Sequence, residues 1–567
     1  MIEARQRWPD DFAERYRNLG YWRGETIGGM LRRTAERRPD AIAVVGGDER
    51  WTYAELDAQA DSLATAFRES GIAPGERVLV QLPNRPTFLS VVFGLYRAGI
   101  LPVFCLPAHR RAEITHFAVA SEAVACIVPD RHEGFDYRTM ATAVLAEAPA
   151  LRHVIVDGEA SGPNFLTLDE LARTPGRDWP EPDPSSVAFL QLSGGSTGFS
   201  KLIPRTHDDY LYSVRESAEI CRLDENGIYL CVLPIAHNFP TSSPGYLGVF
   251  HAGGRVVLCP SPSPEVAFRL IEEEKVTITG VVPPIALLWL RATESTTHDL
   301  SSLQLLQVGG AKLTPEIARQ IGPAFGTTLQ QVFGMAEGLV NYTRPDDPEE
   351  TIVNTQGRPI SPADEILIVD DLDHPVAEGA HGHLLTRGPY TIRAYHDAPE
   401  ANARAFTADG FYRTGDIVSR SAGGYLTVHG RATDQINRGG EKVSPDEIED
   451  HLLAHPDIHD AAIVGVPDPY LGERVWAVIV PLREGLKTKD VRAWLRTRGV
   501  AAYKIPDQVA FVPAFPETRV GKTSRKDLRA AVRESLDQEM TTPSATAENP
   551  AKAPEPRNPE PRSPEPG

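Results

Sequence analysis

The sequence predicts an α/β protein with a large N-terminal domain of parallel and mixed sheets packed with helices. A small α+β C-terminal domain and a disordered proline-rich tail follow. Three observations predict this. Short apolar runs of strand length alternate with helix-length segments over roughly the first 430 residues, and such units pair their strands in parallel through right-handed crossovers. After Gly430 the texture changes to a compact module with its own helices and strands. Beyond Thr541 the stretch TTPSATAENPAKAPEPRNPEPRSPEPG repeats Pro-Glu-Pro and has no large apolar residue, so it cannot bury a core. The predicted divisions are 1–430, 431–540 and 541–567.

Residues 25–39 carry helical spacing, and 49–53 reads as a short strand entering a helix over 54–70. Strands are predicted over 78–82 and 100–106, separated by an apolar helix over 85–99. Further strands are predicted over 125–128, 152–156, 187–191, 229–233, 255–258, 276–282, 304–308 and 329–333. In the small domain, Ser444-Pro445-Asp446-Glu447 predicts a helix start with an N-cap serine, Pro at the first helical position and Glu three residues after the cap. Strands over 461–466, 475–480 and 508–511 and a helix over 490–498 complete that module.

Composition bounds the function. Hydrophobic content of 41% and charged content of 24% in 567 residues are ordinary for a soluble globular protein. A net charge of −19 supplies no broad cationic face, which argues against nucleic-acid binding. The charged, aromatic N-terminus resembles neither a secretory signal nor a membrane span, and no apolar run reaches membrane length. Cys105, Cys126, Cys221, Cys231 and Cys259 are odd in number and lack metal-ligand spacing. Buried free thiols in a reducing cytoplasm are the expectation.

The densest chemical signal is LSGGSTGFSKLIPRTHDDY, residues 192–210. Gly194, Gly195 and Gly198 let successive backbone N–H groups converge on an anion. Ser193, Ser196 and Thr197 add hydroxyls, and Lys201 adds a mobile positive charge. Taken alone, the loop also fits a flexible Gly/Ser surface turn. A second stretch, residues 516–523, imitates a P-loop, with 366–370 as its apolar run ending in Asp. Pro516 stands where that loop needs glycine, and proline has no N–H to offer.

The blocks SGGSTGFSK, PIAHNFPTSSPG, QVGGAKL, QVFGMAEGLVNYTR, FYRTGD, GRATDQINRGGEKV and PETRVGKTSRK occur in an order that resembles the adenylate-forming ligases. Within them, the chain is similar to the stand-alone aryl-acid AMP ligases of siderophore and nonribosomal peptide pathways. The resemblance spans about residues 5 to 535 and implies carboxylate attack on the α-phosphorus of ATP, release of pyrophosphate, and acyl transfer to a thiol. It implies that the loop from Ser193 to Lys201 grips phosphates, and that Thr197 and Glu337 hold Mg²⁺. Asp416 accepts the ribose hydroxyls, Arg431 assists, and Gly309, Gly310, Ala311 and Val332 accommodate the nucleotide. Lys522 bridges the carboxylate and the α-phosphate region.

The same resemblance places the acid among Asn238, Phe239, Ser243, Gly309, Val332 and Val340, with His237 gating the thiol arm. Ser243 favours 2,3-dihydroxybenzoate. Phe239, where Tyr is usual, keeps 3-hydroxypicolinate open beside salicylate. Thr433 occupies a hinge position that usually holds Lys or Asp, and Gly439-Gly440 marks the face presented to the thiol donor. The implied acceptor is the phosphopantetheine thiol of a separate aryl carrier protein, with free coenzyme A as the alternative. No nucleic acid or membrane partner is expected.

Overall fold

The structure is a computed structural model describing residues 8–160, 162, 165–193, 200–434, 436–438, 441–468, 471–498, 500, 504–515 and 528. Among these residues two large sheets dominate. One has nine strands in the order Arg358–Pro359, Val340–Tyr342, Thr328–Gly334, Leu305–Gly309, Ile278–Val281, Ile228–Cys231, Arg255–Leu258, Ile42–Gly46 and Glu49–Thr52. The other has seven, running Leu202–Thr206, Val187–Leu192, Leu101–Phe104, Arg77–Val80, Ala125–Pro129, His153–Asp157 and Phe165–Thr167. Their central strands pair in parallel, and each sheet carries antiparallel strands at an edge.

The main core lies between these sheets, with Val44 and Val256 from one meeting Val78, Phe104 and Phe189 from the other. Helix Pro86–Ala98 runs through it, apolar around nearly its whole circumference and buried accordingly. Proline starts it, and Gly99 closes it in the left-handed conformation at φ +66°, which a side chain would resist.

The α/β alternation stops earlier than the sequence suggested. From Glu365 the chain forms a four-stranded antiparallel sheet, Glu365–Val369, Gly382–Arg387, Tyr412–Arg420 and Leu426–Arg431. The apolar run ending at Asp370 is one of its strands and has no parallel neighbour. The N-terminal segment pins this layer, because the Trp8 and Trp22 indoles donate to the carbonyls of Gly388 and Pro389 at 3.2 and 3.0 Å.

After Arg431 a short 3₁₀ turn, Ala432–Asp434, leads to a separate core built on the hairpin Ile458–Asp468 and Gly472–Pro481. Helices Pro445–Leu453 and Thr488–Thr497 pack on it. The capping box predicted at Ser444 does not form. The Ser444 hydroxyl donates to the His429 carbonyl at 2.6 Å, and Glu447 takes the Lys504 ammonium at 2.7 Å. Both groups found partners outside the helix. All five cysteines are buried and free of disulfides. Burial raises each thiol, Cys126 to about 12 and Cys259 to about 11.

Candidate active site

Strands Val187–Leu192 and Leu202–Thr206 form an antiparallel hairpin whose connection is the Gly/Ser loop. Its base is closed twice, by Ser193 N–H to the Lys201 carbonyl (3.0 Å) and by Lys201 N–H to Ser193 Oγ (2.8 Å). Ser193 therefore clamps the loop's ends through its side chain. Gly194, Gly195, Ser196, Thr197 and Gly198 lie outside the described residues, as do Gly439, Gly440 and Lys522.

The Lys201 ammonium sits 5.3 Å from the Tyr395 ring centroid, a cation–π distance. The Tyr395 hydroxyl lies 2.9 Å from Glu337 Oε1, to which it donates, and 3.0 Å from the Tyr412 hydroxyl. Burial and the nearby Glu337 carboxylate raise Tyr395 well above the usual phenol range, so it keeps its proton and acts as a donor. Glu337 is itself buried, and Ile392 N–H holds its main-chain carbonyl at 2.8 Å.

Behind it, Arg205 donates to the carbonyls of Ala336 (2.7 Å) and Tyr390 (3.1 Å) while pairing with Asp209 at 2.8 Å. Both side chains are essentially inaccessible, at 2% and 0% exposure. Asp209 also accepts from the Thr206 amide and hydroxyl, completing a capping box on helix His207–Ile220. The turn that presents Glu337 is thus held by a buried, fully bonded cation.

Asp416 and Arg431 face each other in register across the antiparallel strands Tyr412–Arg420 and Leu426–Arg431. The guanidinium donates to Asp416 Oδ1 at 2.7 Å and to the Thr414 carbonyl at 3.2 Å. Burial raises the Asp416 carboxyl, and Arg431 opposes that shift. The Asp416 side chain is 7% exposed and that of Arg431 is 48%, so the anion is fixed and the cation retains freedom to reach a ligand. Glu337 and Tyr412 both act electrostatically on Arg431, which joins the two groups into one cluster.

A second set of predicted residues converges on a small apolar floor. Gly309 pairs with Val332 across parallel strands. A methyl on Gly309 would stand 2.8 Å from the Val332 carbonyl oxygen and 3.2 Å from the Phe239 ring. One on Gly280 would stand 3.2 Å from the same ring. Phe239 therefore lies against two strands that lack side chains there. Val340 backs the adjacent Gly334, and its N–H donates to the Tyr390 hydroxyl at 3.2 Å. The short helix Asn238–Ser242 carries Asn238 and Phe239, and Ser243 closes it, buried. His237 caps that helix by accepting from Phe239 N–H at 3.3 Å. Tyr210 donates to Asn238 Oδ1 at 2.8 Å. Gly310 adopts φ +83°, where glycine is favoured.

Sequence reasoning missed Arg205, Tyr210, Gly280, Tyr395 and Tyr412. The Thr206-x-x-Asp209 spacing was available as a cap signal, and a glycine inside the strand-like run at 280 signals close approach of another group. No local pattern marks Tyr395, which reaches Glu337 only through the fold; Tyr412 stands in the FYRTGD block, but nothing in that block shows that it meets the Tyr395 hydroxyl.

The AMP-binding enzyme family model matches residues 31–396, and that of the AMP-binding enzyme C-terminal domain matches residues 447–522. The chain belongs to the AMP-binding enzyme family. As a member of it, the protein uses ATP. It is 58% identical to the 2,3-dihydroxybenzoate-AMP ligase of Bacillus subtilis (strain 168), over 94% of this chain and 99% of that one. To the vibriobactin-specific 2,3-dihydroxybenzoate-AMP ligase of Vibrio cholerae serotype O1 it is 51% identical, over 92% and 96%. A solved apo structure of Mycobacterium smegmatis MbtA superposes with a TM-score of 0.73 at 49% identity, covering 92% of this chain and 98% of that chain. Among the described residues no helix is long and apolar enough to cross a membrane.

Proposed function

We propose that this protein activates an aryl acid with ATP to an aryl adenylate and pyrophosphate, and passes the acyl group to the phosphopantetheine thiol of a separate aryl carrier protein. The acid is 2,3-dihydroxybenzoate. One observation supports the reading: the Phe239 ring packs against Gly280 and Gly309, with Asn238 beside it, so an aromatic ring and an amide adjoin where the acid is expected. The names of the most similar relatives support the same acid.

In this reading Phe239, Val332 and Val340 hold the ring, Asn238 and buried Ser243 meet its polar groups, and Gly309 to Ala311 line the adenine. Asp416 fixes the ribose. Its carboxylate can accept two hydroxyl donors at once, and Arg431 holds its geometry. Lys201 and the Gly/Ser loop bring positive charge and N–H groups to the phosphates. Lys522 lowers the repulsion between the incoming carboxylate and the α-phosphate.

The donor set fits Mg²⁺: Glu337 is a buried hard-oxygen ligand oriented by Tyr395, and Mg²⁺ characteristically takes one or two carboxylates with substrate phosphates. When bound, the ion would be held by Glu337 and Thr197 and would screen phosphate charge. His237, at the head of the Asn238–Ser242 helix, gates the thiol arm. The small domain, residues 431–540, turns about Thr433 to present Gly439-Gly440 to the incoming thiol in the cytoplasm; residues 541–567, expected to be a disordered tail, lie outside the described residues.

Acid-dependent exchange of labelled pyrophosphate into ATP tests this. Exchange with 2,3-dihydroxybenzoate that is lost on chelating Mg²⁺ and in Lys522→Ala is the expected result. Salicylate, 3-hydroxypicolinate and aliphatic acids are the comparison arms, and exchange with aliphatic acids alone refutes the reading. Thioester formation on an aryl carrier protein against coenzyme A decides the acceptor.

A further inference from the structure

An amide side chain has one accepting end and one donating end, and whatever binds one end decides which the other offers. Asn238 is bound from behind. Tyr210, on helix His207–Ile220, is fully buried, with its ring edge-on to Phe189 at 4.6 Å and under the Arg205 guanidinium at 4.7 Å. Packed on both sides, the phenol has no room to swing. Its oxygen rests 2.8 Å from Asn238 Oδ1.

That oxygen is a donor for two reasons. Burial pushes the phenol up to about 12, so its proton stays on through the neutral range. The contact itself fixes where that proton goes: the hydroxyl is directed at Asn238 Oδ1, an amide oxygen that can only accept. The phenol hydrogen therefore goes to Oδ1, and the Asn238 NH₂ is left for a ligand.

We propose that Tyr210 is a positioning residue that locks the Asn238 amide with its NH₂ toward the bound acid, so that the site selects ring substituents able to accept a hydrogen bond over those that only donate. The inference rests on the aryl-acid reading above and goes beyond it by naming what sets the polarity of the pocket. The NH₂ has two hydrogens: the carboxylate, common to both acids, accepts one, and an ortho hydroxyl accepts the other. An ortho amine, whose lone pair is drawn into the ring, leaves that second hydrogen unpaired, and such a mismatch discriminates strongly.

The test compares salicylate with 2-aminobenzoate by pyrophosphate exchange in the parent, Tyr210→Phe, Asn238→Ala and the double variant. The ratio of kcat/KM for two acids on one preparation is independent of the fraction of folded enzyme. In Tyr210→Phe the amide is free to flip, and the preference for salicylate should fall about tenfold or more. The salicylate KM should rise while the ATP KM holds. In the Asn238→Ala background, adding Tyr210→Phe should move the ratio less than twofold. An unchanged ratio in Tyr210→Phe, or an equal fall without Asn238, overturns the proposal and leaves the aryl-acid reading intact. A parent enzyme with no aryl-acid-dependent exchange overturns both.

Discussion

Replacing Gly309 by alanine adds one methyl group where the fold has left no room. Its carbon would stand 2.8 Å from the Val332 carbonyl oxygen, 3.1 Å from Val332 Cβ and 3.2 Å from the Phe239 ring. The carbonyl belongs to the strand paired with Gly309 itself, so relief must come from the sheet or from Phe239. Overpacking of this kind costs roughly 1–3 kcal/mol. If that strain is expressed when the acid binds, kcat/KM for the acid falls about 5- to 150-fold, at one decade per ~1.4 kcal/mol. Gly280→Ala is the internal control. Its nearest neighbours are side-chain atoms, Phe239 Cζ at 3.2 Å and Gln307 Oε1 at 3.5 Å, which can yield. Its loss should stay below about tenfold, the lower end of the same range. Pyrophosphate exchange at varied acid, with the ATP KM followed in parallel, measures both. A Gly309→Ala enzyme with parental kcat/KM for the acid, or a larger loss at Gly280, refutes the placement of the ring over Gly309.

Three further outcomes follow from contacts described above or at the domain boundary. Arg205→Met strands the Asp209 carboxylate in the core and frees the Ala336 and Tyr390 carbonyls; urea unfolding should register a loss of about 3–5 kcal/mol, and a loss under about 1 kcal/mol contradicts the buttress. The two domains meet through polar pairs, Lys312 with Asp450 at 2.9 Å and Arg498 with Glu316 at 3.2 Å, around a cavity of about 410 Å³. In Lys312→Glu two acids face each other at a cost of several kcal/mol, so small-angle scattering should report a larger radius of gyration that Asp450→Lys restores, and an unchanged radius counts against the latch. Asp364, beneath Tyr390, is pushed by burial up to about 8, above its unfolded value of 3.8. The folded state therefore prefers the protonated acid, and stability falls by up to ~1.4 kcal/mol per pH unit between about 4 and 8. Asp364→Asn should gain on the parent across that window and no further above it; a difference independent of pH rejects the assignment.

The strands were legible where burial on both faces forced continuous apolar runs, as at Leu79, Ile127, Leu230 and Leu306. Their ends moved by at most two residues in the large domain and by up to three in the small-domain hairpin, since a strand stops where pairing stops and apolarity does not. The antiparallel sheet from Glu365 was not read as one, because the apolar run at 366–369 carries no sign of the strand it pairs with, Gly382–Arg387. Site residues lying in sequence blocks were found, whereas the groups that orient them were not. Tyr395 meets Glu337 across 58 positions and Arg205 meets Tyr390 across 185. Arg205 and Tyr210 stand inside the 192–210 stretch, but the groups they hold, at Tyr390 and Asn238, lie elsewhere in the chain. Ser444 teaches the converse: a correct local pattern lost to a stronger partner, the His429 carbonyl.

The sulfur atoms of this chain take on meaning beside its chemistry. A mixed anhydride of a carboxylate and a nucleotide is an electrophile that any accessible thiolate will intercept, and an enzyme making one risks labelling itself. Cys259, the least raised of the thiols whose value falls in a measurable range, would at neutral pH be ionised in roughly one molecule in ten thousand, and it is walled off besides. Cys221 is buried as well, donating its S–H to Gln330 at 3.3 Å. The product is thus left to wait for a nucleophile that arrives from outside.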